Sequence, residues 1–188
     1  MDYGRQILDF DGHRIGGEAP FMQLESRGEA AFFAELRASL KSGAAQYPEG
    51  GAIGFFGYEA TRALEPRAFS RTARDDLGLP LARLVFYRRL KRTSLASQQA
   101  EPILPLQSLP DFPNARRFYE NGVETIKNYI AAGDIYQANL TCRFSLPTLF
   151  QPAQIYERLR SLGAAPRAAL LEWDDFSLVS NSPETFLT

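Results

Sequence analysis

From Tyr136 to Leu146 the chain alternates strictly, with Tyr136, Ala138, Leu140, Cys142, Phe144 and Leu146 apolar and Gln137, Asn139, Thr141, Arg143 and Ser145 between them. Successive side chains of a strand point to opposite faces, so this pattern predicts one long strand entered from Gly133. Its polar face carries amides, hydroxyls and a guanidinium rather than the lysines and glutamates of an ordinary wet face. Two readings stay open: a half-exposed antiparallel strand, or the wall of a pocket.

Upstream, Arg5 to Phe10 reads as a short strand turning at Asp11-Gly12, and Phe21 to Glu25 as a second apolar run ending at Ser26. Ser26 and Glu29 have capping-box spacing, which predicts a helix with Phe32, Phe33, Leu36 and Leu40 on one face, ended by Gly43. Gly54 and Gly57 interrupt an apolar run from Ala52 to Tyr58, a sign of close backbone approach in a buried strand. Arg67 to Asp76 is charged and irregular. Leu84 to Leu90 reads as a strand with Thr93 to Ser97 pairing back on it, which puts Arg88, Arg89, Lys91 and Arg92 at a solvated hairpin end.

Four prolines between Gln98 and Pro113 exclude a regular ladder there. A helix follows from an Asn114 cap to Ala132, stopped by Gly133, and another from Pro152 to Gly163. Ala168 to Trp173, Asp174-Asp175 and Phe176 to Asn181 form a hairpin. Hairpins and helices alternating irregularly indicate α+β rather than a βαβ array.

Composition narrows the function. The 188 residues, 45% hydrophobic and 23% charged, suffice for one sizeable core. A net charge of -1 and a pI near 5.9 give no electrostatic footprint for nucleic acid or an anionic membrane. One Cys and one His exclude a disulfide framework and a zinc constellation, and leave only His13, in a Gly-flanked turn, for a Ser/His/Asp triad. No apolar run approaches a membrane span and no leader pattern opens the chain, so a cytoplasmic location is expected.

Three ordered stretches carry a resemblance: GAIGFFGYEATRALEP (Gly51 to Pro66), GDIYQANLT (Gly133 to Thr141) followed by Arg143-Phe144, and SPETF (Ser182 to Phe186). Together they resemble the chorismate-utilising enzymes, component I of aminodeoxychorismate synthase and its relative anthranilate synthase. The resemblance implies an α+β fold with a two-sheet β-sandwich core flanked by helices, incomplete in this chain. The implied division is an N-terminal lobe at 1–97, a Pro-rich linker at 98–113 and the start of the chorismate-binding lobe at 114–188.

The implied reaction converts chorismate and ammonia to 4-amino-4-deoxychorismate on the route to para-aminobenzoate and folate, with ammonia delivered by a glutamine amidotransferase subunit. Anthranilate synthase, or a non-catalytic ligand-binding fragment of the same fold, is the alternative. Glu184 matches the family's catalytic acid/base; read without the family it is an exposed Glu in a turn after proline. The Lys or Ala of Pro-Ile-(Lys/Ala)-Gly-Thr, which separates the two enzymes, and the glutamates that hold Mg²⁺ are expected beyond residue 188. The 188-residue chain alone is therefore expected to be inactive.

The family also has a tryptophan pocket, whose matching positions here are Ser26, Tyr136, Pro166, Arg167 and Ala168. Ser26 follows Gln23-Leu24-Glu25, where the family has two leucines before the acid, and it serves equally as a helix cap. Arg167 stands where an aromatic is expected. Tryptophan binding is accordingly expected to be weak or absent.

Overall fold

The computed structural model describes residues 2–65, 67, 75–95, 113–163 and 165–185. The chain divides into two compact units, Met1–Glu101 with Phe150–Thr188, and Pro102–Leu149. The first contains β1 (Arg5–Phe10), β2 (His13–Ser26), α1 (Phe32–Gln46), β3 (Gly51–Phe56), a 3₁₀ turn (Tyr58–Ala63), β4 (Ala82–Ser94), α3 (Pro152–Leu162), β5 (Arg167–Glu172) and β6 (Ser177–Ser182). The second contains α2 (Pro113–Ala132).

All six strands form one antiparallel sheet in the order β3-β4-β2-β1-β5-β6. The expected α+β class holds, but the sheet is a single curled half-barrel, and a second sheet is not seen among the described residues. β2 bends at an irregularity between Pro20 and Met22, preceded by Ala19 at φ 52°. Such bulges sharpen twist and let a long strand curl.

The outer face carries the helices. Phe32 and Leu36 of α1 pack on Leu24, Ala82, Leu84 and Phe86, and Tyr156 of α3 packs on Ile7, Ala168 and Leu170. The inner face closes on itself through Ile53, Val85, Tyr87, Leu171 and Trp173. Burying each aliphatic or aromatic side chain of this kind contributes about 1.5–3 kcal/mol. Phe55 on β3, an edge strand, meets the rings of Trp173 and Phe176 from the β5–β6 hairpin at 5.9 Å. Contact between strands so far apart in the sheet order requires the curl.

Arg83 of β4 fixes this closure. Its Nη1 and Nη2 donate to the two Asp175 carboxylate oxygens at 2.6 and 2.8 Å, and its Nε donates to Glu25 at 2.7 Å. The guanidinium also lies 4.7 Å from the Phe176 ring centroid and 5.3 Å from that of Trp173. Stacked and bidentate contacts of this kind suit the planar fork of Arg and not the point charge of Lys. On β3, where Gly54 pairs with Leu84, a Cβ at Gly54 would run into the Arg83 carbonyl oxygen, so glycine is required for β3 to lie this close.

Several sequence expectations are corrected. Ser26 is the last residue of β2 and pairs with Ala82, so it does not cap a helix. Its hydroxyl donates to Glu29 and accepts from the Gly28 N–H, while α1 begins at Phe32 and runs past Gly43 to Gln46. Ala82–Ser94 is one strand, not a hairpin, because β2 is long enough to partner its whole length. The basic run consequently lies along that strand, where Arg89 and Lys91 meet Glu18 at 3.8 and 3.6 Å and Arg89 also meets Glu49 at 3.0 Å. Most of the irregular Arg67 to Asp76 stretch and nearly all of the Pro-rich linker lie outside the described residues.

β5 and β6 extend the N-terminal sheet across β1. The hairpin at Asp174-Asp175 and the helix from Pro152 are found as expected.

In the second unit α2 ends in a Schellman arrangement, Asp134 N–H to Tyr129 O and Gly133 N–H to Ile130 O, with Gly133 at φ 80°. The expected strand from Tyr136 to Leu146 is not formed. A strand exists by virtue of its ladder, and among the described residues of this unit no second strand accepts one. Leu140 instead lies over Gly122 of α2, in the space a Cβ would take.

Two measurements follow from the Arg83 contacts. Arg83→Met is expected to lower the unfolding free energy by about 3 kcal/mol in urea, with Trp173, the single tryptophan, as fluorescent reporter; a loss within experimental error of zero contradicts the role given to Arg83. The hydrogen bond from Arg83 holds the Asp175 carboxyl below its ordinary range. A carboxyl depressed in the folded state stabilises above its unfolded pKa, about 3.9, and loses that contribution as pH falls below it. Stability should therefore drop more steeply below about pH 4 in the parent than in Asp175→Asn; parallel acid curves would be inconsistent with this.

Candidate functional site

Glu184 follows β6 directly. Ser182, whose backbone pairs with Arg167 of β5, donates its hydroxyl to the Glu184 carbonyl and accepts the Glu184 N–H, at 3.2 and 3.3 Å. This ST-type turn after Pro183 holds the backbone while the residue stays exposed. Thr185, the next residue, accepts a hydrogen bond from Arg167 Nε at 2.6 Å.

Arg167 organises this end of the sheet. Its Nη1 donates to Asp11 Oδ1 at 2.6 Å and to the Pro166 carbonyl at 3.0 Å, and its guanidinium stacks 3.9 Å from the Phe10 ring centroid. Asp11 sits in the β1–β2 turn with φ 47°, and its N–H reaches the Pro166 carbonyl at 3.4 Å. One guanidinium therefore ties the β1–β2 turn, the start of β5 and the segment after β6 together. Asp11 supplies the counter-charge that a stacked arginine needs.

The structure brings Pro166, Arg167 and Ala168 together on this turn and strand, but it does not bring Ser26 to them. Arg167 lies by the turn that precedes His13, the first residue of β2, and Ser26 is the last residue of that strand. Both roles of the Ser26 hydroxyl are already used locally. Ala168 is 2% exposed and packs against Tyr156 beneath α3. Tyr136, 90% exposed, belongs to the second unit, where Gln137 and Asn139 are also exposed. Ala164 lies outside the described residues.

A second ionic cluster, not expected from the sequence, joins β1, β2 and α3. Asp9, on β1 with its side chain 2% exposed, takes Arg14 Nε at 3.0 Å and Arg160 Nε at 2.7 Å, and both arginines also meet Glu157 of α3, at 3.3 and 3.0 Å. Burial works against the Arg14 cation and is the largest single influence on it, but the hydrogen bond to Asp9 and the charges of Asp9, Tyr156 and Glu157 together outweigh it and raise its pKa. Burial, reinforced by Asp9, pushes the Tyr156 phenol up. On the inner face burial raises the Tyr87 phenol to about 12, and its hydroxyl donates to Gln6. The available signals were Asp9 inside Ile-Leu-Asp-Phe and Arg83 ahead of Leu-Val-Phe, single charges within apolar strands, which persist only when partnered.

No helix among the described residues is long and apolar enough to cross a membrane. Nor does any group of three or more His, Cys, Asp and Glu side chains among them converge as a metal site. The described residues give Mg²⁺ no donor set.

Residues 8–188 match the chorismate binding enzyme family, and the chain belongs to that family. It is 31% identical over 175 residues to aminodeoxychorismate synthase component 1 of Bacillus subtilis, covering 74% of this chain and 37% of that protein. A Streptomyces globisporus protein named 2-amino-4-deoxychorismate synthase is 30% identical over 169 residues, with 73% and 34% covered. Anthranilate synthase component 1 of Pseudomonas putida is 27% identical over 178 residues, covering 73% and 36%. The chain thus spans little more than a third of the length of these curated relatives. No solved structure matches it.

Arg167→Ala is expected to release the segment after β6. Backbone ¹⁵N relaxation should show the Thr185 order parameter falling to about 0.6 or less, with a stability loss of about 1 kcal/mol. A Thr185 as rigid as in the parent would show that other contacts hold it.

Proposed function

We propose that the chain is the N-terminal portion of an aminodeoxychorismate synthase component I, converting chorismate and ammonia to 4-amino-4-deoxychorismate for para-aminobenzoate and folate synthesis in the cytoplasm. The observation that carries this reading is the family match over residues 8–188 together with the two aminodeoxychorismate synthase relatives at 30 and 31% identity. Ammonia is supplied by a glutamine amidotransferase subunit. A second reading, anthranilate synthase component I, is favoured by 40% identity over 72 residues to that enzyme from Haloarcula marismortui.

In the proposed net reaction a C–N bond forms at the ring carbon while the C–O bond to the 4-hydroxyl breaks. Hydroxide leaves poorly, so a proton must reach that oxygen as it departs, giving water, and the new ammonium centre loses a proton to become the amine. Glu184 is assigned the donor role. Its exposed position, in a turn fixed by Ser182 and next to Thr185, leaves the carboxyl able to meet a substrate while its backbone stays in place. The reading also takes tryptophan to be a poor ligand, because Arg167 is engaged by Asp11, Thr185 and Phe10 and offers no open aromatic wall.

The purified 188-residue chain, given chorismate, ammonium and Mg²⁺, is expected to form no aminated product above the buffer rate by chromatography. Product formation dependent on ammonia would refute the division of the catalytic groups proposed here. Calorimetry with tryptophan should show no saturable heat, and binding in the micromolar range would count against the reading of Arg167.

A further inference from the structure

On the outer face of the sheet, beside α3, a cleft of about 220 Å³ is lined by Ile7, Arg14, Gly16, Gly17, Glu18, Lys91 and Thr93. The strand register explains its composition. Arg14 pairs with Thr93 and Gly16 with Lys91, so these three side chains surround the position where Gly16 has none. A Cβ at Gly16 would meet nothing within 4 Å. The floor is therefore open backbone, and its rim bears a guanidinium, an ammonium and a hydroxyl.

Arg14 is held for this arrangement. Of the five N–H groups of a guanidinium, Nε–H goes to Asp9 and one on Nη2 goes to Glu157. Three remain. The two engaged groups and the stack on Tyr156, 5.4 Å from its ring centroid, fix the plane of the fork. Lys91 is opposed by Glu18 at 3.6 Å, but both side chains are largely exposed and Glu18 retains Arg89 at 3.8 Å. Such exposed pairs contribute little, so Lys91 can turn to a ligand at small cost.

We propose that this cleft is a binding site for a small oxyanion, the phosphate or carboxylate group of a small molecule, held by the spare N–H groups of Arg14, the Lys91 ammonium and the Thr93 hydroxyl over Gly16. Oxyanions take charge-assisted and forked hydrogen bonds of this kind well. Glu18, at one end of the cleft, disfavours a highly charged ligand and limits the anion to the Arg14–Thr93 end. The site is on the sheet face opposite the inner aromatic core and does not depend on the reaction proposed for Glu184.

The test is an amide NMR titration of the 188-residue chain with inorganic phosphate in one arm and acetate in the other, at constant ionic strength with chloride. Saturable shifts confined to Gly16, Gly17, Lys91, Thr93 and their neighbours are expected, with a dissociation constant of about 1 mM or tighter in at least one arm; the arm that saturates first identifies the anion. Gly16→Val fills the floor of the cleft, where a Cβ meets no neighbour, and should abolish the shifts while leaving the rest of the spectrum in place. Lys91→Gln should weaken binding about tenfold. Absence of saturation in both arms overturns the proposal, as does unchanged affinity in Gly16→Val.

Discussion

Arg83 is the interaction on which the rest of the structure depends. A six-stranded sheet can lie open, and nothing in the ladder alone brings β3 to the β5–β6 hairpin. What does so is a cation on β4 whose partners come from two places: Glu25 at the end of β2, and the β5–β6 turn, which supplies Asp175 and the rings of Trp173 and Phe176. Burying a charge is expensive unless every donor is matched, so an open sheet, which would separate Arg83 from Asp175, is disfavoured more strongly than loss of apolar contact alone would make it. The inner core of Ile53, Val85, Tyr87 and Leu171 supplies the bulk of the burial, and Arg83 sets which curl that burial adopts.

The same logic recurs on the outer face. Asp9 is buried because two arginines, one from β2 and one from α3, reach it from opposite sides, and this docks α3 on the sheet at one angle. Arg167 does at the strand ends what Arg83 does inside, joining three segments far apart in sequence through one planar group. Four arginines thus specify geometry that leucines and valines would fill without fixing.

Much of this was legible in the sequence where local rules suffice. β1, the helix stopped by Gly133, α3 after Pro152 and the hairpin at Asp174-Asp175 follow from alternation, caps and turn residues. The errors fell where a strand's partner decides its fate. β4 read as a hairpin because the length of β2 was not visible, and Tyr136 to Leu146 alternates like a strand yet has no ladder among the described residues of its own unit. The family was legible from three short motifs, whereas the arginine contacts were not, since the carboxylates that meet Arg83 and Arg167 lie 58 to 156 residues away. Ser26 shows the remaining difficulty: one hydroxyl had the spacing for a helix cap, and the structure uses it instead to brace Glu29 and Gly28.

The most direct measurement of the account is a double-mutant cycle between Arg83 and Asp175, built from Arg83→Met, Asp175→Asn and the pair, each unfolded in urea. A coupling energy of at least about 1 kcal/mol is expected if the guanidinium closes the sheet through that carboxylate. Additive effects, with no coupling between the two sites, would mean that the curl is held by the apolar interior alone.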